Sequence, residues 1–207
     1  MIQVMKLKKF EKKLVITNRI LSVILFCLAI YIIATPFIPE IELLFAKSND
    51  KTQGFVYESS LAEDKDIPKE ELKPIPKENR VVIPEIGVDS EILEGGDISI
   101  LNEGQSWRRP LTSNPVKGGN TVVVGHRFFG QGKNTFYHLN KLKKDDLIMV
   151  YWEGVEYNYQ VVEIFETIPQ NIAVESNTKD PILTLYTCSG LSAEKRFIVK
   201  AKLLTNT

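Results

Sequence analysis

Residues 182–199 read Ile-Leu-Thr-Leu-Tyr-Thr-Cys-Ser-Gly-Leu-Ser-Ala-Glu-Lys-Arg-Phe-Ile-Val. Both ends are short runs rich in aliphatic, β-branched and aromatic residues. The seven residues between Cys188 and Arg196 are small, polar or charged apart from Leu191. This pattern predicts two strands with a short connection. If the strands pair as neighbours, Cys188 at the exit of one faces Arg196 at the start of the other. A side chain at a strand's C-terminal end is held by rigid backbone yet open to a ligand.

Outward from this hairpin the pattern stays β-rich. Val81-Val82-Ile83, Thr121–Val124, Leu147–Trp152 and Val155–Phe165 are strand candidates, and the last alternates with Val155, Tyr157, Tyr159 and Val161 on one face. Tyr157, Tyr159 and Phe165 are expected in the core. Phe136, Leu139 and Leu142 predict a short helix, with His138 partly buried in it or at its surface. Trp107, Arg108 and Arg109 precede Pro110 and read as a solvated loop in preference to one near the site. Short strands between Gly, Pro, Asn and Asp clusters predict an all-β domain over 80–207, either a closed barrel or a sandwich.

The 207 residues carry 26 basic and 26 acidic side chains, a formal charge of zero, with 43% hydrophobic and 25% charged residues. That composition excludes a disordered chain and a polytopic membrane protein, and no basic surplus points to nucleic acid. The zero is a sum of unlike parts. Residues 1–19 hold six basic groups against Glu11, and residues 20–38 hold no charge. Residues 39–79 are acidic by ten to six, and residues 80–207 by fifteen to fourteen. The uncharged run would span roughly 28 Å as a helix at about 1.5 Å per residue, close to the thickness of a bilayer core.

Lys6, Lys8, Lys9, Lys12, Lys13 and Arg19 precede the run, and Glu40 and Glu42 follow it. The positive-inside bias puts residues 1–19 in the cytoplasm, 20–38 across the membrane as an uncleaved anchor, and the rest outside. A cleaved signal peptide fits less well, because its apolar core is shorter and a small-x-small site follows it. Residues 39–79 alternate Pro with Lys and Glu, as in Lys73-Pro74-Ile75-Pro76-Lys77, and read as a flexible linker.

Two cysteines are present. Cys27 lies within the anchor, so Cys188 has no partner in the outer domain and is either a buried structural residue or a nucleophile. A nucleophilic thiol needs a proton partner, and histidine suits that task at neutral pH. Only His126 and His138 are available, and His126 follows the strand candidate ending Val124-Gly125. Acyl transfer also develops charge on a carbonyl oxygen, which the permanent cation of Arg196 can stabilise. His126, Cys188 and Arg196 thus form a coherent acyl-transfer set. Consecutive side chains at a strand exit diverge, so Arg127 is assigned a structural or substrate-rim role.

Val124-Gly125-His126-Arg127, Thr184-Leu185-Tyr186-Thr187-Cys188 and Arg196-Phe197-Ile198-Val199, in this order, resemble the three catalytic segments of sortases, the membrane-anchored transpeptidases of bacterial surfaces. The resemblance extends over nearly all of residues 80–207, including Val82–Val88, Gly119-Asn120 and Phe136–Leu142. It implies an eight-stranded β-barrel with short helices behind a single membrane anchor. It implies Cys188 as the nucleophile on a Thr–Gly bond of an LPXTG-like sorting signal, and His126 as the acid, then the base. Arg196 would stabilise the oxyanion or orient substrate, and Thr187 would help to bind substrate. The partners implied are surface proteins with C-terminal sorting signals and an amine acceptor, from a cell-wall precursor or a pilin lysine. No cofactor or metal is assigned: Asp145, Asp146 and the glutamates after Glu153 fit a solvated surface as well as the calcium site of some sortases. The seven-residue connection and the lack of a second apolar run after Leu204 lean toward a general anchoring enzyme over a pilus polymerase. A hydrolase releasing surface proteins and a non-catalytic tethered barrel are the competing readings.

Overall fold

The computed structural model describes residues 2–38, 40–41, 43–44, 74–103, 105–127, 135–190 and 193–204. The chain divides into two compact units, residues 1–49 and 50–207. In the first, one helix, α1, runs from Ile2 to Ala34 and continues as a single 3-10 turn over Thr35–Phe37. The helix therefore includes the basic segment as well as the apolar run. Lys13–Ala34 is long and apolar enough to cross a membrane. Pro36 falls in the 3-10 turn, where a proline ring is tolerated in the first positions. Most of the linker expected over 39–79 lies outside the described residues.

The second unit is built on eight strands: β1 Arg80–Ile83, β2 Val88–Leu93, β3 Ser106–Arg108, β4 Asn120–Val124, β5 Leu147–Trp152, β6 Val155–Thr167, β7 Ile182–Ser189 and β8 Lys195–Leu203. They close into a barrel in the order β1-β2-β3-β4-β7-β8-β6-β5, with β5 pairing back on β1. Closure leaves no free edge. Just before β1, Asn79 accepts hydrogen bonds from the backbone of Ile92 and of Glu153.

Alternation decides what fills the barrel. Val123 of β4, Leu183 and Leu185 of β7, and Val199 and Ala201 of β8 point inward and are fully buried, together with Trp152 and Tyr159. Fully burying one such aliphatic side chain stabilises the fold by about 1.5–3 kcal/mol. The buried Tyr159 hydroxyl is held well above the ordinary tyrosine range, mainly by desolvation. On β6 the phase changes midway. The register against β8 shifts between Val161 and Glu163, a β-bulge. Before it Tyr159 and Val161 face inward, and after it Ile164 packs against the core. Phe165, expected in the core, is turned outward, where the Lys200 ammonium lies 5.4 Å from its ring centroid. Val155, at the strand's start, is 51% exposed.

Two other expectations change. Residues 136–142 form a turn and one 3-10 turn, Leu139–Lys141, in place of a helix. The i, i+3, i+6 spacing of Phe136, Leu139 and Leu142 suits the three-residue period of a 3-10 turn, and all three are buried. So short a segment gains too few hydrogen bonds to offset helix nucleation. Trp107, placed in a solvated loop, sits on β3 and is 2% exposed. It packs with Leu101 and Val124, and its indole N–H donates to the Gly95 carbonyl at 3.0 Å.

Two of the strand pairs, β2–β3 and β4–β7, are parallel. Both β6 and β7 pair antiparallel to β8, so they too run in the same direction. Like-directed strands need a crossover connection. Residues 168–181 therefore return from the end of β6 to the start of β7 over the outside of the barrel. Asn120 of β4 ties this connection down by donating to the carbonyls of Val174 and Ser176, each at 3.0 Å.

Candidate active site

The candidate residues meet in one row across neighbouring strands. Cys188 of β7 is the direct cross-strand partner of Arg196 of β8, which in turn pairs with Thr167 of β6. On the other side, parallel β4 sets Val124 beside Tyr186. The alignment continues past the strand's end, where the Gly125 N–H donates to the Tyr186 carbonyl at 3.3 Å. Two residues beyond Val124 and Tyr186 on their respective strands stand His126 and Cys188. Cross-strand partners project to the same side of a sheet, and β7 alternates, so Tyr186 and Cys188 face outward while Leu185 and Thr187 face inward. The hairpin geometry expected from the sequence is the one observed.

Local packing explains why His126 sits there. Phe136 is buried against Gly125, and a Cβ on that glycine would lie 2.7 Å from its ring. The Phe136 N–H donates to the His126 carbonyl at 2.9 Å. Thr187, almost fully buried, donates its hydroxyl to the Gly125 carbonyl at 2.8 Å. The backbone on either side of His126 is thus fixed from two directions. Its Nε2, shielded from solvent, has no hydrogen-bond partner among the described residues. A shielded, unpaired imidazole nitrogen is costly in a purely structural histidine and useful in one that exchanges protons.

The sequence profile of the sortase domain matches residues 81–204. The chain belongs to the sortase family. It is 31% identical over 128 residues to Sortase A of Bacillus anthracis, a match covering 60% of this chain and 59% of that relative's length. Among solved structures, the barrel resembles the Sortase D5 transpeptidase of Clostridium perfringens, with a TM-score of 0.56 and 29% identity over 62% of this chain and 79% of that one. Sortase C-1 of Actinomyces oris gives a TM-score of 0.57 and 28% identity, over 64% and 76% of the two chains. These relatives carry three different subclass letters, so the likeness establishes the family and leaves the subclass open.

In this sortase barrel, Arg196 is held at the hairpin mouth, its Nη1 donating to the carbonyls of Ala193 and Lys195 at 3.1 and 3.2 Å. Arg127 reaches the Cys188 carbonyl, Nη1 to O at 3.4 Å. Below them, Glu166 of β6 accepts hydrogen bonds from the hydroxyl of Ser189 and, at 3.2 Å, from the Lys195 ammonium. Its carboxyl is held below the usual carboxylate range, first by the Ser189 hydrogen bond, then by Lys195 and more weakly by Arg127. Glu166 thus gathers the ends of β6, β7 and β8 under the row. His138 lies off the row, edge-on to the Tyr137 ring at 4.8 Å between centroids. Among the described residues, no three His, Cys, Asp or Glu side chains gather into a metal-ligating group.

On the outer face, Tyr186 donates its hydroxyl to Glu175 Oε1 at 2.6 Å, and Arg109 Nε donates to the same oxygen at 3.0 Å. The Arg109 guanidinium lies over the Trp107 ring, 4.9 Å from its centroid. Burial works against the charge of Arg109, but the hydrogen bond to Glu175, with the electrostatic effects of Tyr186 and Glu175, outweighs it and raises its pKa above the ordinary arginine value. Desolvation, reinforced by Glu175, raises the Tyr186 hydroxyl well above the usual tyrosine range. Neither Glu175 nor Arg109 was among the expected site residues. They lie 66 residues apart, and no local pattern announces that pairing. Tyr186 was accessible by parity alone, two residues before Cys188.

Proposed function

We propose that the protein is a membrane-anchored cysteine transpeptidase. It cleaves an LPXTG-like sorting signal at the Thr–Gly bond and transfers the acyl half to an amine acceptor at the cell surface. One observation supports this reading: Cys188 stands in a row between Arg196 and His126, whose shielded Nε2 has no hydrogen-bond partner among the described residues. Cys188 Sγ attacks the threonine carbonyl carbon as His126 takes the thiol proton. The carbonyl oxygen gains negative charge, and Arg196 stabilises it. Collapse of this intermediate breaks the C–N bond, and His126 returns the proton to the departing glycine amine, leaving a thioester on Sγ. An incoming amine attacks the thioester while His126 accepts its proton. The new amide leaves, and the thiol is restored. Thr187 contributes to substrate handling by fixing the Gly125–His126 backbone beside Cys188.

The apolar part of α1 supports anchoring with the N-terminus in the cytoplasm and the barrel outside. Its substrates are surface proteins carrying C-terminal sorting signals. The test uses the full chain in detergent with a labelled LPXTG peptide, with and without an amine acceptor. The expected result is an acyl-enzyme at Cys188 by mass spectrometry and a product that shifts to the amide when amine is added. A product formed at the same rate and never aminolysed would make the protein a hydrolase. Failure of a methanethiosulfonate to label Cys188 rapidly, in a His126-dependent way, would reduce it to a tethered barrel.

A further inference from the structure

Arg196 has a long side chain that, among the described residues, is hydrogen-bonded to carbonyls of its own hairpin. For a cation that must meet a transient oxyanion, such anchorage leaves the other side of the guanidinium to be defined. The register supplies a candidate. Cys188 pairs with Arg196 and Tyr186 with Ile198, so Tyr186 and Arg196 are diagonal neighbours on the outer face. Diagonal positions are about 7–8 Å apart, within reach of an aromatic and a long side chain. Tyr186 cannot swing freely, because Glu175 holds its hydroxyl at 2.6 Å and Arg109 holds Glu175 at 3.0 Å. Arg109 is in turn stacked on the buried Trp107. The chain of contacts ends in the core, which makes it a rigid support and not a loose surface network.

The support also has the right charge. Glu175 brings a carboxylate to the tyrosine hydroxyl, on the strand diagonal that leads to the Arg196 cation. We propose that Tyr186 and Glu175, braced by Arg109, are positioning residues that fix Arg196 for the oxyanion. This rests on the transpeptidase reading, in which Arg196 meets the reacting carbonyl. It also gives the 168–181 crossover a part in the chemistry, since Glu175 belongs to it.

The test compares Tyr186→Phe and Glu175→Gln with the wild type in the full chain, alone and combined with Arg196→Ala. Each single change is expected to lower the rate of acyl-enzyme formation about tenfold. The two losses should not add to each other, and both should vanish on the Arg196→Ala background. Labelling of Cys188 by a small neutral methanethiosulfonate, which needs no oxyanion, should be unchanged. Arg109→Lys, which keeps the charge, should lose less than Arg109→Ala. Losses that add fully to Arg196→Ala, or that slow thiol labelling to the same extent, would overturn the proposal. A second readout needs no peptide: the Arg196 Nε–H resonance, assigned with Arg196→Lys, should move in both variants. If the wild type forms no acyl-enzyme at all, the transpeptidase reading falls, and an unmoved Arg196 resonance would overturn the positioning role separately.

Discussion

On β7, the side chains of Leu183 and Leu185 and those of Tyr186 and Cys188 leave one strand in opposite directions. The inner set meets Val123, Val199 and Ala201 in a fully buried apolar cluster. The outer set is more polar, and directional bonds tie Thr184 to Asn120 at 2.7 Å and Tyr186 to Glu175, while Cys188 stands opposite Arg196 in the register. Apolar packing is non-directional and rewards area, whereas hydrogen bonds reward angle and distance. A strand of period two can therefore supply stability from one face and chemistry from the other. Substitutions on the two faces should fail in different ways.

The sharpest separation is expected at Cys188. Cys188→Ala should give no acyl-enzyme by mass spectrometry while melting within a few degrees of the wild type, and His126→Ala should slow acylation by about 10²–10⁴-fold. A Cys188→Ala protein that unfolds readily would erase the distinction between the faces. The inner counterpart is Leu185→Ala, which should cost about 2–5 kcal/mol in urea unfolding while each folded molecule keeps its turnover. Loss of turnover without loss of stability would contradict it.

Gly125 joins the two faces. Gly125→Ala forces a methyl against the Phe136 ring, so it should destabilise by about 1–3 kcal/mol and slow acylation together. A variant matching the wild type in both respects would show that Phe136 yields freely. The smallest effect is expected at Glu166, whose depressed pKa contributes stability above the ordinary value of 4.5 and loses it as pH falls through the lower folded value. Glu166→Gln should therefore melt below the wild type near neutrality, and the gap should close in acid. Because the carboxylate is solvent-exposed, a gap of zero at every pH is the opposing result to look for.

The division between the faces was partly legible in the sequence. Cys188 and Arg196 are eight positions apart on one hairpin, so strand alternation and a short connection were enough to bring them together. His126 was found by chemistry and scarcity, one of two histidines and the one at a strand exit. What escaped had no local trace. β3 is three residues long, too short to show a period, so Trp107 looked like loop. The bulge between Val161 and Glu163 inverts the phase of β6, and nothing in the alternation warns that Phe165 leaves the core while Ile164 replaces it. The Arg109–Glu175–Tyr186 contacts depend on where the crossover lands, which is a property of the closed barrel.

The parallel pairing of β4 with β7 has a consequence for how the chain acquires activity. The bond from Thr187 to Gly125 closes a sequence separation of 62 residues. Contacts of such long range are entropically costly to form, and β-barrels dominated by them fold over about milliseconds to seconds. The Cys188–Arg196 hairpin can form early, since its ends are near in sequence. His126 joins it only when β4 docks, so a partly folded chain holds the Cys188 thiol and the Arg196 guanidinium without the imidazole. On the proposed mechanism this order of assembly would act as a kinetic interlock, the thiol gaining its proton partner in the step that completes the wall between β3 and β7.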